Sequence, residues 1–155
     1  MSLEIYTYPH NVLNQKAEDI KECSQRIQEL ARNMQETMYK NKGIGLAAPQ
    51  VGEPCKLITV DVKGEEEKNN LITLINPQIV EKQGSIDTEE GCLSLPGYKG
   101  KVKRAEKIVV SGLDLQEEEK QIQADGLLAI CMQHEIDHLN GITLLDYASR
   151  LKIII

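Results

Sequence analysis

Between Ser24 and Lys42 the apolar residues Ile27, Leu30, Ala31, Met34 and Met38 recur every three or four positions, the period of one face of an α-helix. Ser24 is placed to cap the start of that helix and Gly43 to stop it. The period then breaks. Gly43 to Gly52, GIGLAAPQVG, sets three glycines and a proline among apolar residues, which predicts a tight loop with buried side chains. Lys56–Val62 (KLITVDV) and Leu71–Val80 (LITLINPQIV) are rich in β-branched residues and flank the polar KGEEEKNN, so they read as paired antiparallel strands. Further strand-like stretches lie at Gln83–Asp87, Tyr98–Arg104 and Lys107–Leu115, the last running into an acidic turn at Gln116–Lys120. From Asp125 to Asn140 the residues Leu127, Leu128, Ile130, Cys131, Ile136 and Leu139 fit a largely buried helix, closed by Gly141. The order of elements predicts an α+β fold: antiparallel strands packed around a central helix, with an amphipathic helix near the N-terminus.

Composition narrows the class without changing that picture. At 155 residues, 41% hydrophobic and 27% charged, the chain is expected to be one domain spanning 1–155, with no repeat or interior linker. No apolar run approaches the ~20 residues that cross a bilayer. The opening MSLEIYTYPH has neither the basic head nor the apolar stretch of a signal peptide, so a cytoplasmic location is expected. Eighteen Lys and Arg against 24 Asp and Glu give a net charge of −6, the wrong sign for phosphate-backbone binding. Cys23, Cys55, Cys92 and Cys131 form no CxxC pair and read as thiols. With no Phe or Trp, the core must be built from Leu, Ile, Val, Ala and Met.

The chemistry sits in the second helix, where His134-Glu135-Ile136-Asp137-His138 reads HExxH. Four helical residues turn the chain by ~400°, so His134 and His138 project from nearly one face and can share a metal ion. Glu135 lies ~100° round from His134, turned away from the ligand direction but able to reach water beside the ion. Two ordinary helix histidines are the competing account. The third histidine, His10, reads as a surface or turn residue. A catalytic metal commonly takes three protein ligands. Cys92, Cys131 and the scattered carboxylates are the candidates for the third. Cys131 falls near the right face but in an apolar run, whereas Cys92 lies beside Gly91 and a short Leu-Ser-Leu-Pro-Gly segment able to present a thiol, and it is preferred.

GIGLAAPQ (Gly43–Gln50), EGCLSLPG (Glu90–Gly97) and QHEIDHLNG (Gln133–Gly141) resemble, in order and spacing, the three signature motifs of peptide deformylase of the bacterial type. VKRAEKIVV from Val102 and ADGLLAICMQHE from Ala124 resemble the family's connecting strand and helix, so the likeness covers nearly the whole chain. The resemblance implies a hydrolase that removes the N-formyl group from the N-formylmethionine of nascent polypeptides, releasing formate. It implies Cys92, His134 and His138 as ligands of one divalent metal ion, Fe(II) natively and replaceable by Zn(II) or Ni(II). It implies Glu135 as general base and acid, with Gln50 and the backbone N–H of Leu93 as donors to the developing oxyanion. Ile44, Leu127, Ile130 and Cys131 are implied to line a methionine slot, and Gly45 suits backbone pairing with a peptide. Plain core packing is the alternative for those apolar residues. Glu90 and Arg104 read as an ion pair behind the site, with two independent surface charges as the alternative.

Several positions depart from the family's commonest pattern. His10 follows Pro9 where an acidic residue is usual, Asn14 stands near an Arg position, and Thr88 replaces a frequent aliphatic pocket residue. The chain runs from Arg150 into LKIII, so a basic tail for docking on the ribosome is expected to be short or missing, and the resemblance allows transient ribosome association. Two other classes compete. A metallopeptidase cutting internal bonds would draw its third ligand from a downstream Glu or His, and neither follows His138. A structural metal module would need four protein ligands and no free base.

Overall fold

The structure, a computed structural model, describes the backbone of residues 1–153 and side chains through Tyr147. Helix α1 spans Gln25–Lys40, with the Ser24 hydroxyl accepting from the Ile27 N–H. Its buried face carries Ile27, Leu30, Ala31, Met34 and Met38, the residues whose spacing predicts it. The stop differs from expectation. Lys42, not Gly43, takes the left-handed conformation (φ 57°), while the Gly43 N–H reaches back to the Met38 carbonyl and the Lys42 N–H to that of Tyr39, a Schellman closure.

The glycine-rich segment that follows is only partly a loop. Gly45–Ala47 forms strand β1, and Ala48–Val51 a single 3₁₀ turn that ends at Gly52 in the left-handed region. Strand β1 is recruited by pairing with β2 (Leu57–Val60), a long-range partner that local periodicity does not reveal. Strands β2 and β3 (Ile72–Gln83) pair antiparallel as expected, with Ile58 opposite Leu74. Strand β3 stops at Gln83, and the stretch read as a strand at Gln83–Asp87 contains a turn with Gly84 at φ 74°. That turn hands the chain to a second sheet, formed by β4 (Ile86–Cys92), β5 (Leu95–Arg104) and β8 (Leu151–Ile153). The expected short C-terminal tail falls partly on Ile154 and Ile155, which lie outside the described residues.

The first sheet is completed by β6 (Lys107–Leu113) and β7 (Glu119–Asp125), in the order β1-β2-β3-β6-β7, each pair antiparallel. Strand β7 is absent from the sequence-based reading. Its residues, EKQIQAD, are mostly polar because they lie on the exposed edge of the sheet, and only Ala124 is buried. Helix α2 (Gly126–Leu139) begins at once, and Gly141, at φ 73°, follows its C-cap.

Both helices pack against the five-stranded sheet, one on each face. Ile58, Val60, Leu74, Ile108 and Val110 turn toward Ala129, Met132, Ile136 and Leu139 of α2. Leu46, Leu57 and Ile75 turn toward Ile27, Leu30, Met34 and Met38 of α1. Every residue of β2 is buried, which is why KLITVDV reads as a run rather than an alternation. The architecture is α+β with antiparallel sheets.

Candidate active site

A strand of the three-stranded sheet and the helix packed on the five-stranded one meet at one point. Cys92 closes β4, and α2 carries His134, Glu135 and His138 on the turns facing it. One ligand atom each from Cys92, His134 and His138 lies within 4.8 Å of the others, and the Cys92 Sγ is 3.4 Å from the His138 Nε2. Cys131, the competing thiol, points elsewhere, with its Sγ donating to the Ile44 carbonyl at 3.4 Å.

His134 is oriented by a carboxylate. The Nδ1–H of His134 donates to Glu90 Oε1 at 2.9 Å, leaving Nε2 as its lone-pair nitrogen. Glu90 is gripped by Arg104 through two parallel bonds of 2.8 and 2.9 Å, and Arg104 also donates to Asp137 at 2.6 Å. The Glu90–Arg104 pair read from the sequence is therefore buried and bidentate, not two surface charges. Burial pushes the Glu90 carboxyl up, but Arg104 and His134 outweigh it and hold it at about 2. Burial opposes the charge on Arg104 as well, and the two carboxylates beside it raise its pKa nonetheless.

Within the centre the shifts diverge. Burial lowers His138 well below the ordinary histidine value, aided by the positive charges of His134 and Arg104. His134 is raised well above it, because its bonds to Cys92 and Glu90 overcome burial. The Glu135 carboxyl, 4% exposed, is pushed up to about 7, chiefly by burial. Its Oε1 and the Nδ1 of His138 are buried and have no hydrogen-bond partner among the described residues. A thiol, two imidazole nitrogens aimed at one point and an unpaired carboxylate beside them fit a divalent cation of borderline softness and a water.

A cleft of about 540 Å³ opens over this centre. Gln50 lies in its wall, 2% exposed, held by the Ala47 N–H on its Oε1 and donating from Nε2 to Ser94 Oγ (3.2 Å) and toward Cys92 Sγ (3.5 Å). Leu93 occupies the two-residue turn between β4 and β5 and also borders the cleft. Ile44 and Leu127 stand on its rim, 40% and 51% exposed, so core packing does not account for them. Ile130 and the buried Cys131 lie deeper. At Gly45 a Cβ would stand 2.5 Å from Glu135 Oε2 and 2.7 Å from Cys131 Sγ, so the glycine makes room for the carboxylate. His10 is outside the cleft; its Nδ1 accepts from the Val12 N–H in a local turn.

Comparison with known proteins assigns the family. Residues 2–153 match the model of the family described as polypeptide deformylase. The chain belongs to the polypeptide deformylase family. The peptide deformylase of Thermodesulfovibrio yellowstonii is 54% identical over 97% of this chain and 91% of its own, and that of Syntrophobacter fumaroxidans 50% identical over 93% and 85%. Among solved structures, a peptide deformylase from Legionella pneumophila superposes with a TM-score of 0.91 at 40% identity, covering 95% of this chain and 86% of that one. One from Synechococcus elongatus in complex with actinonin gives 0.90 at 41%, covering 94% and 79%. The chain is accordingly an enzyme, a metal-dependent hydrolase that removes the formyl group from nascent peptides.

Four side chains around this centre escape a reading by motif. Ser94 receives the Gln50 amide, and Tyr147 donates to Asp137 at 3.2 Å while its ring lies under Arg104. Asp137 is hidden in plain sight as a variable position of HExxH, yet it takes the free arm of Arg104. Gln133 clamps both the N–H and the carbonyl of Ala105 at 2.9 Å, tying α2 to the β5–β6 connection. Its place beside His134, in a helix otherwise apolar up to that point, is the one signal that could have singled it out.

Proposed function

We propose that Cys92, His134 and His138 together hold one divalent cation, and that Glu135, Gln50 and Leu93 carry out hydrolysis of the N-formylmethionyl amide beside it. The convergence of the three donor atoms within 4.8 Å, next to a buried carboxylate with an unpaired oxygen, is the observation that carries this reading. When bound, the cation supplies Lewis acidity, which lowers the pKa of water from 15.7 toward about 7 and polarises a carbonyl. Glu135, buried with one oxygen unpaired beside the three donors, accepts the proton of the attacking water and returns it to the departing amine. The Gln50 amide, fixed by Ala47, and the Leu93 backbone N–H donate to the formyl oxygen as negative charge collects on it, each worth ~3 kcal/mol in comparable sites. Ile44, Leu127, Ile130 and Cys131 receive the methionine side chain, and the β1 edge at Gly45 pairs with the peptide backbone.

Fe(II) is the native metal in this reading, with Zn(II) or Ni(II) able to replace it, since the ligand set accepts all three and supply decides among them. Residues 1–155 act as one catalytic domain in the cytoplasm, meeting nascent chains through transient ribosome association and without direct nucleic-acid binding. No helix among the described residues is long and apolar enough to cross a membrane.

Formate release from a formyl-Met tripeptide, by protein purified anaerobically with iron, tests the proposal. Chelator treatment should abolish release, and restored metal should recover it. Glu135→Gln should keep its metal while losing about 10²- to 10⁴-fold in turnover. Release that survives complete metal removal would exclude the metal site, and an active Glu135→Gln enzyme would exclude the general base.

A further inference from the structure

Glu90 is the hub behind His134, and its two oxygens receive four donors. Oε1 takes Arg104 Nη2 and His134 Nδ1, while Oε2 takes Arg104 Nε and the hydroxyl of Thr88, the last at 2.5 Å. A carboxylate offers about four lone-pair sites, so this shell is full. Thr88 sits one register step from Glu90 on the same face of β4, opposite Val102 of β5. Its hydroxyl has one proton to give. The Val102 carbonyl, at 3.1 Å, is a longer and neutral alternative, so the charged oxygen takes it.

We propose that Thr88 is a positioning residue of the metal centre: its hydroxyl completes the acceptor shell of Glu90 and so fixes the ring that Glu90 holds. Without it, Oε2 keeps only the Arg104 Nε–H, and the carboxylate can rotate slightly within the two-bond guanidinium fork. Rotation moves Oε1, and Oε1 is what orients the His134 ring and fixes its proton on Nδ1. Thr88 also borders the cleft, where a hydroxyl would make a methionine slot more polar. Because that hydroxyl is committed to Glu90, the wall gains no free polar group. The departure from an aliphatic residue is thus a change behind the metal, not a change in substrate preference.

The inference rests on the three-ligand reading above, and the experiment separates the two. Zn(II) dissociation constants are measured by chelator competition for the wild type, Thr88→Val and Thr88→Ser, alongside kcat/KM for formyl-Met and formyl-Leu tripeptides. Valine keeps the shape and the β propensity while removing the hydroxyl. Thr88→Val should bind zinc about tenfold more weakly, at the low end for losses around a metal-bound histidine, with an unchanged ratio of the two substrates. Thr88→Ser should restore affinity to within about twofold. Equal zinc affinity in wild type and Thr88→Val overturns the proposal, as does a serine variant as weak as the valine one. An altered substrate ratio at unchanged affinity assigns Thr88 to the slot instead. A wild type that holds no zinc fails the three-ligand reading itself, and the role of Thr88 falls with it.

Discussion

The site is assembled from contacts so close that single atoms matter. Gly45 shows this best, since an added methyl would overlap both Glu135 Oε2 and Cys131 Sγ. Gly45→Ala should therefore displace the carboxylate while leaving the three metal donors where they are. Misplacing a reacting group by 1 Å costs ~10²-fold, so kcat/KM should fall by about that factor with metal content unchanged. Formate assays and metal analysis on one preparation check this; a wild-type rate would mean that strand β1 gives way and not Glu135. Much at this scale was legible in the sequence, because HExxH spacing fixes where the two imidazoles and the Glu project once the segment is helical. Cys92 was legible as a preference only, since nothing local says which strand end will meet α2. Thr88, Ser94 and Tyr147 were not legible as partners of the site, because each acts on a residue that only tertiary pairing brings near.

At the scale of elements, the β4–β5 hairpin and α2 are joined by charge as well as by packing. Arg104, on β5, binds Glu90 of β4 and Asp137 of α2, all in a region where the Arg104 side chain is only 5% exposed. Removing the guanidinium leaves the buried Glu90 carboxylate without its principal compensating charge, with His134 as its remaining charged partner. Arg104→Met should then cost about 3–5 kcal/mol, measured by urea unfolding of the metal-free protein. Replacing Glu90 by Leu in the same chain should recover part of that loss, since the uncompensated buried charge is gone, yet metal affinity should stay low because His134 has lost its acceptor. The elements themselves were legible in proportion to how strongly their own residues signal. The α1 and α2 segments and the β2–β3 pair each carry their period internally. Strand β7 does not: it is a polar edge whose only instruction is the ladder offered by β6, from Lys107 opposite Asp125 to Leu113 opposite Glu119. Strand β1 is likewise a glycine-containing segment made extended by β2.

For the whole molecule, the candidate metal site lies where the two sheets meet. Cys92 belongs to the three-stranded sheet, whereas His134 and His138 ride on the helix that packs against the five-stranded one. A cation shared among them, as proposed, would link the two sheets beside the Arg104 network, the Gln133 clamp and the Gln50–Ser94 bond, and so couple metal binding to folding. Each ligand must be deprotonated to bind, and a site absent from the unfolded chain converts binding energy into stability. With free Zn(II) at about a hundred times its dissociation constant, the folded state should gain ~2.7 kcal/mol. For a protein of this size that corresponds to roughly 5–10 °C in thermal midpoint. The gain should shrink as pH falls, because protons compete for the same lone pairs. Cys92→Ala removes the donor from the second sheet while leaving both histidines on α2. Its metal-free midpoint should lie near that of the metal-free wild type, and added Zn(II) should raise it by a small fraction of the wild-type shift. Melting both proteins with and without zinc distinguishes a cation that bridges the sheets from one held by α2 alone, since only the second arrangement would give equal shifts.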